Sequence, residues 1–503
     1  MKMKHVLTGI VVAVAAGVLG GSVVGHADAD YDHAVQTMPR GLPIEGNFHI
    51  PYFMNSVIPN SAETVTSPSD SSRQAVQITN DSNQVGSVWA DRNKYYFDFT
   101  KNQRAAMWMY FGNMGDYWKA GDGMAFVVQN DYRGEQAIAT TNFSTAPAVG
   151  QTLGVWGYAS SLPNENETNV ARRAIQNSWA LEFDTFTNMK SPESANAIPG
   201  SFDFQVGSQN GVDKPQPHIA SNYPGVSGKR ATYETMNFEK DSYTMMTHNG
   251  LIKTPLSDGS WHHVTIDYKA PTDGTTVGSM TYTINDKRLP GSGVQEKQSS
   301  TVDFNYSLLK DPDTTGTHIP NTGLWGFTGT TGNINWENNL VVFEQMPGLV
   351  DANGSAKIYN RSHLDASGKP TEISAGQNVT GGDRLRLDYQ LQYNTGRVDW
   401  DNIAAEIHLP DHVMVNAGTI TYANGKTETV DLSNLSGQDL SFKLGQLLNA
   451  ENRTATISLD GKADNPASDT PVTSQTSKFS GPNAIVTADT PAFNLVHSNV
   501  DFN

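Results

Sequence analysis

From residue 100 onward the sequence falls repeatedly into short apolar runs separated by glycine, proline, asparagine and aspartate. "RAAMWMYF", "GMAFVVQ", "SWALEFDTF", "HHVTIDYK", "SMTYTIND" and "NLVVFEQ" all follow this pattern. Each run has the length and the β-branched or aromatic content of a strand, and the intervening residues are those that tight turns use. Long stretches of amphipathic helical spacing are missing, while 45 glycines and 24 prolines supply the turns. Many short strands joined by turns must bury their apolar faces against a second sheet, so the pattern predicts an all-β sandwich or barrel.

The 503 residues are more than one such sandwich usually needs. The composition changes after "VVFEQMPGLV": aromatics thin out, small polar residues rise, and strands such as "DRLRLDYQLQY", "AAEIHLP" and "TATISLDG" follow. A domain boundary is therefore expected near 350, with a first domain over 71–350 and a second β-sandwich, immunoglobulin-like, over 351–503. Residues 30–70 read as an irregular lead-in, and the polar segment 464–482 as a long loop.

The chain opens with two lysines, an apolar run and the A-x-A pattern of Ala27 and Ala29. Residues 1–29 are read as a signal peptide, which predicts a secreted, extracellular protein with no membrane span after cleavage. A formal charge of −17 argues against nucleic-acid partners. The absence of cysteine from so long an exported chain favours a bacterial origin, of Gram-positive type, with cores large enough to need no covalent staple.

One strand departs from the apolar pattern. In "SWALEFDTFTN" (178–188), Leu181, Phe183 and Thr185 share one face, while Glu182, Asp184 and Phe186 share the other. Two buried carboxylates side by side demand a neutralising partner. Downstream, "NGVDKPQPHIA" adds Asp213 and His218, and Asn188 offers an amide oxygen. Oxygen ligands of this kind suit calcium, and a site containing an imidazole suits manganese. Glu182 and Asn188 would lie ~20 Å apart on a continuing strand, so the chain must curl after Phe186, freeing its carbonyl as a further oxygen.

The pattern E-x-D-x-[FY]-x-N followed by D-x-x-x-x-H resembles the calcium/manganese site of L-type, legume-type lectins, with further motifs in the family's order. "GDGMAFVV" (121–128) is similar to the family's loop bearing a sugar-binding aspartate after a cis peptide. "GQTLGVW" (150–156) is similar to its second binding loop, "SWHHVTIDY" to its back strand, and "GLWGFTGTTGNIN" (323–335) to its late loop. The resemblance spans about residues 70–347 and implies a concanavalin-like jelly-roll sandwich. It also implies manganese on Glu182, Asp184, Asp213 and His218, and calcium on Asp184, the Phe186 carbonyl, Asn188 and Asp213. Sugar would meet Asp122, Gly150 or Gln151, Asn188 and the ring of Phe186, with Gly332 and Asn333 as a variable wall. Against the plant pattern, the 24 residues between Asn188 and Asp213 are long.

The function implied is metal-dependent carbohydrate binding without catalysis, as a lectin or adhesin that meets glycans on host or microbial surfaces. Surface-protein or cell-wall partners would be met through the second domain. The same jelly roll also hosts laminarinase- and lichenase-type hydrolases, which need a second glutamate on this strand. Phe186 and Thr187 occupy those positions, so a retaining mechanism lacks its acid/base here. A non-catalytic structural surface protein is the third alternative, and it fits residues 351–503 best. His262 and His263 are adjacent on a strand, point to opposite faces and are expected to be structural.

Overall fold

The computed structural model describes residues 28–499, except 54–57, 116–118, 142–145, 161–164, 189–200, 210–211, 214–215, 229–231, 239–240, 314–315 and 317. Most of the proposed signal peptide, residues 1–27, lies outside the described residues.

The apolar runs pair as antiparallel strands in two large sheets. One has the order Phe48–His49, Val85–Ala90, Thr322–Thr330, Gly123–Gln129, Ser178–Asp184, His218–Asn222, Asn249–Lys253, with Phe97–Asp98 joining Thr322–Thr330. The other runs Gln298–Asn305, Val277–Ile284, His262–Lys269, Gln103–Phe111, Asn339–Gln345, Asp70–Thr79, Glu63–Ser67. Leu181, Phe183, Phe126 and Phe327 from the first sheet meet Met107, Ile266, Val341 and Phe343 from the second in one buried core. Non-sequential neighbours predominate in the first sheet and form the centre of the second, as a jelly roll requires, and the described residues are all-β apart from short helices.

The outer face of the first sheet is covered as well. Ala125, Val127 and Ala180 lie under a layer of loops and the strand Tyr233–Phe238, which includes Val155, Trp156, Phe202 and Tyr233. Residues Glu182 and Asp184 share that covered face, which is why they are buried although they point away from the main core.

The lead-in is not irregular. Ala29–Thr37 is an α-helix whose N-cap, Asp28, accepts a hydrogen bond from the Asp30 amide, and Phe48–His49 and Glu63–Ser67 add edge strands to the two sheets. The helix is held by burial: Ala34, Val35 and Met38 pack on Trp108, Tyr110 and Trp261 of the second sheet. Its polar side is tied by the Tyr110 hydroxyl, which donates to Asp30 at 2.5 Å.

From Val350 a second sandwich begins, with a six-stranded and a four-stranded sheet enclosing a core of their own and a three-stranded sheet beside them. The segment 464–482 is not one long loop: it contains the strands Thr470–Val472 and Thr476–Ser480. The two sandwiches touch through Ile485, which packs into the first core. Arg397 reaches back too, donating to the carbonyls of Lys94 and Tyr96 and lying 3.3 Å from the centre of the Tyr96 ring.

Candidate metal centre and binding rim

The strand Ser178–Asp184 lies between Gly123–Gln129 and His218–Asn222 in a register that assembles the site. Asp184 stands directly opposite Gly123 on one side and His218 on the other, and Glu182 opposite Ala125 and Ala220. Directly opposed residues on one face have Cβ atoms ~5 Å apart, so His218 is delivered to the two carboxylates by sheet register alone. Gly123 has φ +131°, and a Cβ there would run into the Phe183 carbonyl, so the loop can enter this strand only at glycine.

After Asp184 the chain leaves the ladder, as the curl requires. It returns past residues 189–200 to Asp203, whose Oδ2 accepts from the Asn188 backbone N–H at 2.6 Å and so fixes the turn at Asn188. The other oxygen, Oδ1, lies 3.1 Å from His248 Nε2 and 3.7 Å from His218 Nε2. Glu182 Oε1 is 3.4 Å from His248 Nε2 and 3.6 Å from His218 Nε2. Glu182, Asp184, Asp203 and His218 are buried, and the His248 side chain is only 4% exposed.

Asp203 and His248 were not singled out from the sequence. Asp213, which the resemblance gave to both ions, is in the two-residue strand Val212–Asp213, and its side chain lies outside the described residues. Among the described residues, the groups able to hold an ion together are Glu182, His218 and His248, and Asp184, Asp203 and His218.

Four buried polar atoms of these residues have no hydrogen-bond partner among the described residues: Glu182 Oε1, Asp184 Oδ1, Asn188 Oδ1 and His218 Nε2. Such atoms cost ~1–3 kcal/mol each, more when charged, unless something fills the gap between them. The donor set fits a divalent cation. His218 Nδ1 lies 3.2 Å from the Gln216 carbonyl, a hydrogen bond that would leave Nε2 as the ligand atom. Glu182, His218 and His248 would hold one ion, while Asp184 and Asp203 would remain for a second beside it, where the resemblance also puts Asn188 and the Phe186 carbonyl.

The electrostatics point the same way. Burial, then Asp203 and Glu182, hold the Asp184 carboxyl well above the usual carboxylate range. Burial and Asp203 push Asp122 up to about 7. Glu337, also overlooked in the sequence, is pushed up to about 8 by burial, although Thr185 donates to it at 2.8 Å. For His248, burial works to lower the pKa, but Glu182 and Asp203 outweigh it and raise it.

Asp122 sits at the rim of this cluster, after a Gly121–Asp122 peptide that is cis, as the resemblance implies. Its amide donates to the Thr330 carbonyl and its own carbonyl accepts from Thr185, so the loop is clamped between two strands. A Cβ on Gly150 would lie 3.9 Å from Asp122 Oδ2, and one on Gly332 3.5 Å from the same atom. The three loops of the sequence analysis therefore meet around one carboxylate. Gln151 is half-buried with its Oε1 unpartnered, and Phe186 and Asn188 are also half-buried, while Asn333 is exposed beside Gly332.

No family model and no curated protein matches this sequence. Among solved structures, arcelin-5, a lectin-like defense protein from Phaseolus vulgaris, aligns over 60% of this chain and 93% of its own at 10% identity and a TM-score of 0.32. Lectin I-B4 from Griffonia simplicifolia in its metal-free form aligns over 60% and 92% at 13% identity and a TM-score of 0.31. The exoplasmic/lumenal domain of VIP36 in its Ca2+/Man-bound form aligns over 59% and 80% at 12% identity and a TM-score of 0.29.

Proposed function

We propose that this protein is a secreted bacterial lectin that binds glycans at the rim formed by Asp122, Gly150, Gln151, Phe186, Asn188, Gly332 and Asn333, supported by divalent cations beneath it. The observation that carries this reading is the stacking of two features: orphaned carboxylate, amide and imidazole atoms in a buried cluster, and Asp122 at the meeting point of three loops directly above. Bound cations would supply positive charge that lets Asp184 ionise beside Glu182 and Asp203. Asp203 then holds the Asn188 turn, and Asn188 and Phe186 present an amide and a ring to the rim. Asp122 accepts from sugar hydroxyls, and the glycine at 150 lets the sugar approach the backbone.

The same geometry argues for binding rather than hydrolysis. A retaining glycosidase needs two carboxyls ~5 Å apart flanking an accessible bond. Glu182 and Asp184 are buried, and Thr187, at one position where a second glutamate is required, spends its hydroxyl on the Gln216 carbonyl at 3.1 Å. Placement at the cell surface, with the second sandwich as the contact to wall or surface partners, completes the proposal as an adhesin. The test is a glycan array probed with the full chain in calcium: one or a few related glycans should bind, and Asp122→Asn should abolish that binding. An Asp122→Asn protein that binds like the parent would place the sugar elsewhere.

A further inference from the structure

Two peptide bonds near the end of the leader offer the small residues that a signal peptidase accepts. One follows Ala29, with Ala27 two positions before it; the other follows Ala27, with Gly25 two positions before it. The sequence pattern favours the first, and the fold speaks for the second. Asp28 belongs to the folded domain. Its carbonyl accepts from the Asp32 amide, and its Oδ1 accepts from the Asp30 amide at 3.1 Å, which makes it the N-cap of the helix Ala29–Thr37. Those contacts are local, and any aspartate before a helix could make them. The third is not: Oδ2 accepts at 2.6 Å from Nδ2 of Asn338, a fully buried residue at the start of the strand Asn339–Gln345. The same nitrogen donates to Asp30 Oδ2 at 2.8 Å. An amide nitrogen carries two hydrogens, so Asp28 and Asp30 between them use both. Removing Asp28 would leave one of these buried N–H groups without its acceptor and would uncap a nine-residue helix, a length that does not hold by itself.

We propose that the leader is cut between Ala27 and Asp28, and that the new amino terminus is a built part of the first sandwich, clamped through Asp28 and Asp30 to Asn338. Water is added across the Ala27–Asp28 peptide bond, leaving a carboxylate on Ala27 and an α-ammonium on Asp28. This deepens the proposed function: it rests on the reading of the leader as a secretion signal and moves the end of that leader by two residues. A peptidase meets the chain before it folds, so the fold does not steer the cut. It decides which of the two products keeps its helix capped and the Asn338 amide fully paired, and only the chain beginning at Asp28 does both.

The full chain, expressed with its own leader in a Gram-positive host, is collected from the medium and read by amino-terminal sequencing and intact mass. The expected first residues are Asp28, Ala29, Asp30 and Tyr31. Released protein that begins at Asp30, or anywhere else, overturns the cut while leaving secretion standing; a chain kept in the cells with its leader intact refutes the secretion reading and the cut with it. A second measurement tests the structural reason. Made without a leader, the protein that starts at Asp28 should melt about 1–4 °C above the one that starts at Asp30. The difference should shrink in Asn338→Ala, which has no amide to pair. Equal melting temperatures for the two starts would overturn the role given to Asp28, and so would a difference that is unchanged in folded Asn338→Ala. Glycan binding enters neither readout, so the lectin proposal stands or falls separately.

Discussion

Asp122 and Asp184 are both buried aspartates, yet their positions predict different failures. Asp122 lies at the rim beside Gly150 and Gly332, whereas Asp184 faces His218 inside the cluster. Asp122→Asn keeps the side-chain shape and removes a charged acceptor, so glycan binding should fall by ~1.5–3 kcal/mol while metal content and melting temperature hold. Asp184→Asn should lose metal, stability and glycan together; elemental analysis, thermal melts and glycan binding on both variants separate the two roles. The raised pKa values give a second expectation. With Asp184 held well above its ordinary value and Asp122 and Glu337 at about 7 and about 8, the metal-free protein keeps protons on these carboxyls near neutrality. A folded-state pKa above the unfolded one means that the metal-free form loses stability as pH rises from about 4 toward 8. A cation reverses this by favouring the ionised groups, so metal uptake at pH 7 should release protons. Titration calorimetry in buffers of different ionisation enthalpy measures the release, and a buffer-independent heat would contradict it.

At the scale of elements, the sandwich strands were legible because their residues alternate or run apolar between turn formers, and "LEFDTFTN" was legible because carboxylates on such a strand have no bland explanation. His218 could be found from the same motif, since it falls opposite Asp184 by simple register. The signal failed where the site is completed by chain returning from a loop. Asp203 in "SFDF" and His248 in "MTHNG" sit in segments with no periodicity, and neither local pattern distinguishes a ligand from a turn residue. Glu337 and the helix Ala29–Thr37 were missed for a related reason: both owe their conformation to tertiary burial, against Thr185 in one case and Trp108 and Trp261 in the other. The loop between Asn188 and His218 therefore carries a direct test. Asp203→Ala should lose bound metal and loosen the Asn188 turn, because it removes both a ligand and the acceptor of the Asn188 amide. Asp213→Ala should retain metal; the opposite pattern in elemental analysis would return the ligand role to Asp213.

For the whole molecule, the two faces of the first sandwich carry different kinds of buried charge. The front cluster leaves buried polar atoms without a hydrogen-bond partner among the described residues, while the second sheet holds a satisfied network. Glu344 accepts from Trp108 Nε1 at 2.7 Å and Lys287 Nζ at 2.5 Å and lies 3.2 Å from His263 Nε2, and His263 Nδ1 meets Asp286. His262 on the opposite face is buried against Asn285 and the Leu256 carbonyl, so both histidines are structural. Burial works to raise the Glu344 pKa, but Lys287 and His263 outweigh it and hold the carboxyl far below its usual 4.5. A depressed folded-state pKa contributes stability that is present above about pH 4.5 and is lost as pH falls. Glu344→Gln should cost ~3–5 kcal/mol at pH 7 by urea denaturation and flatten the acid limb of the stability profile. This loss should occur with or without calcium, because the network lies in the other sheet. Removing cations, in contrast, should abolish recognition and lower the melting temperature while the β-type circular dichroism persists, since both cores stay packed. The most direct measurement of the central claim is a glycan array probed with the full chain in calcium and manganese, then repeated after chelation with the metal content verified. Glycan binding that disappears on chelation and returns when the ions are restored is the predicted result; unchanged binding by verified metal-free protein would contradict it.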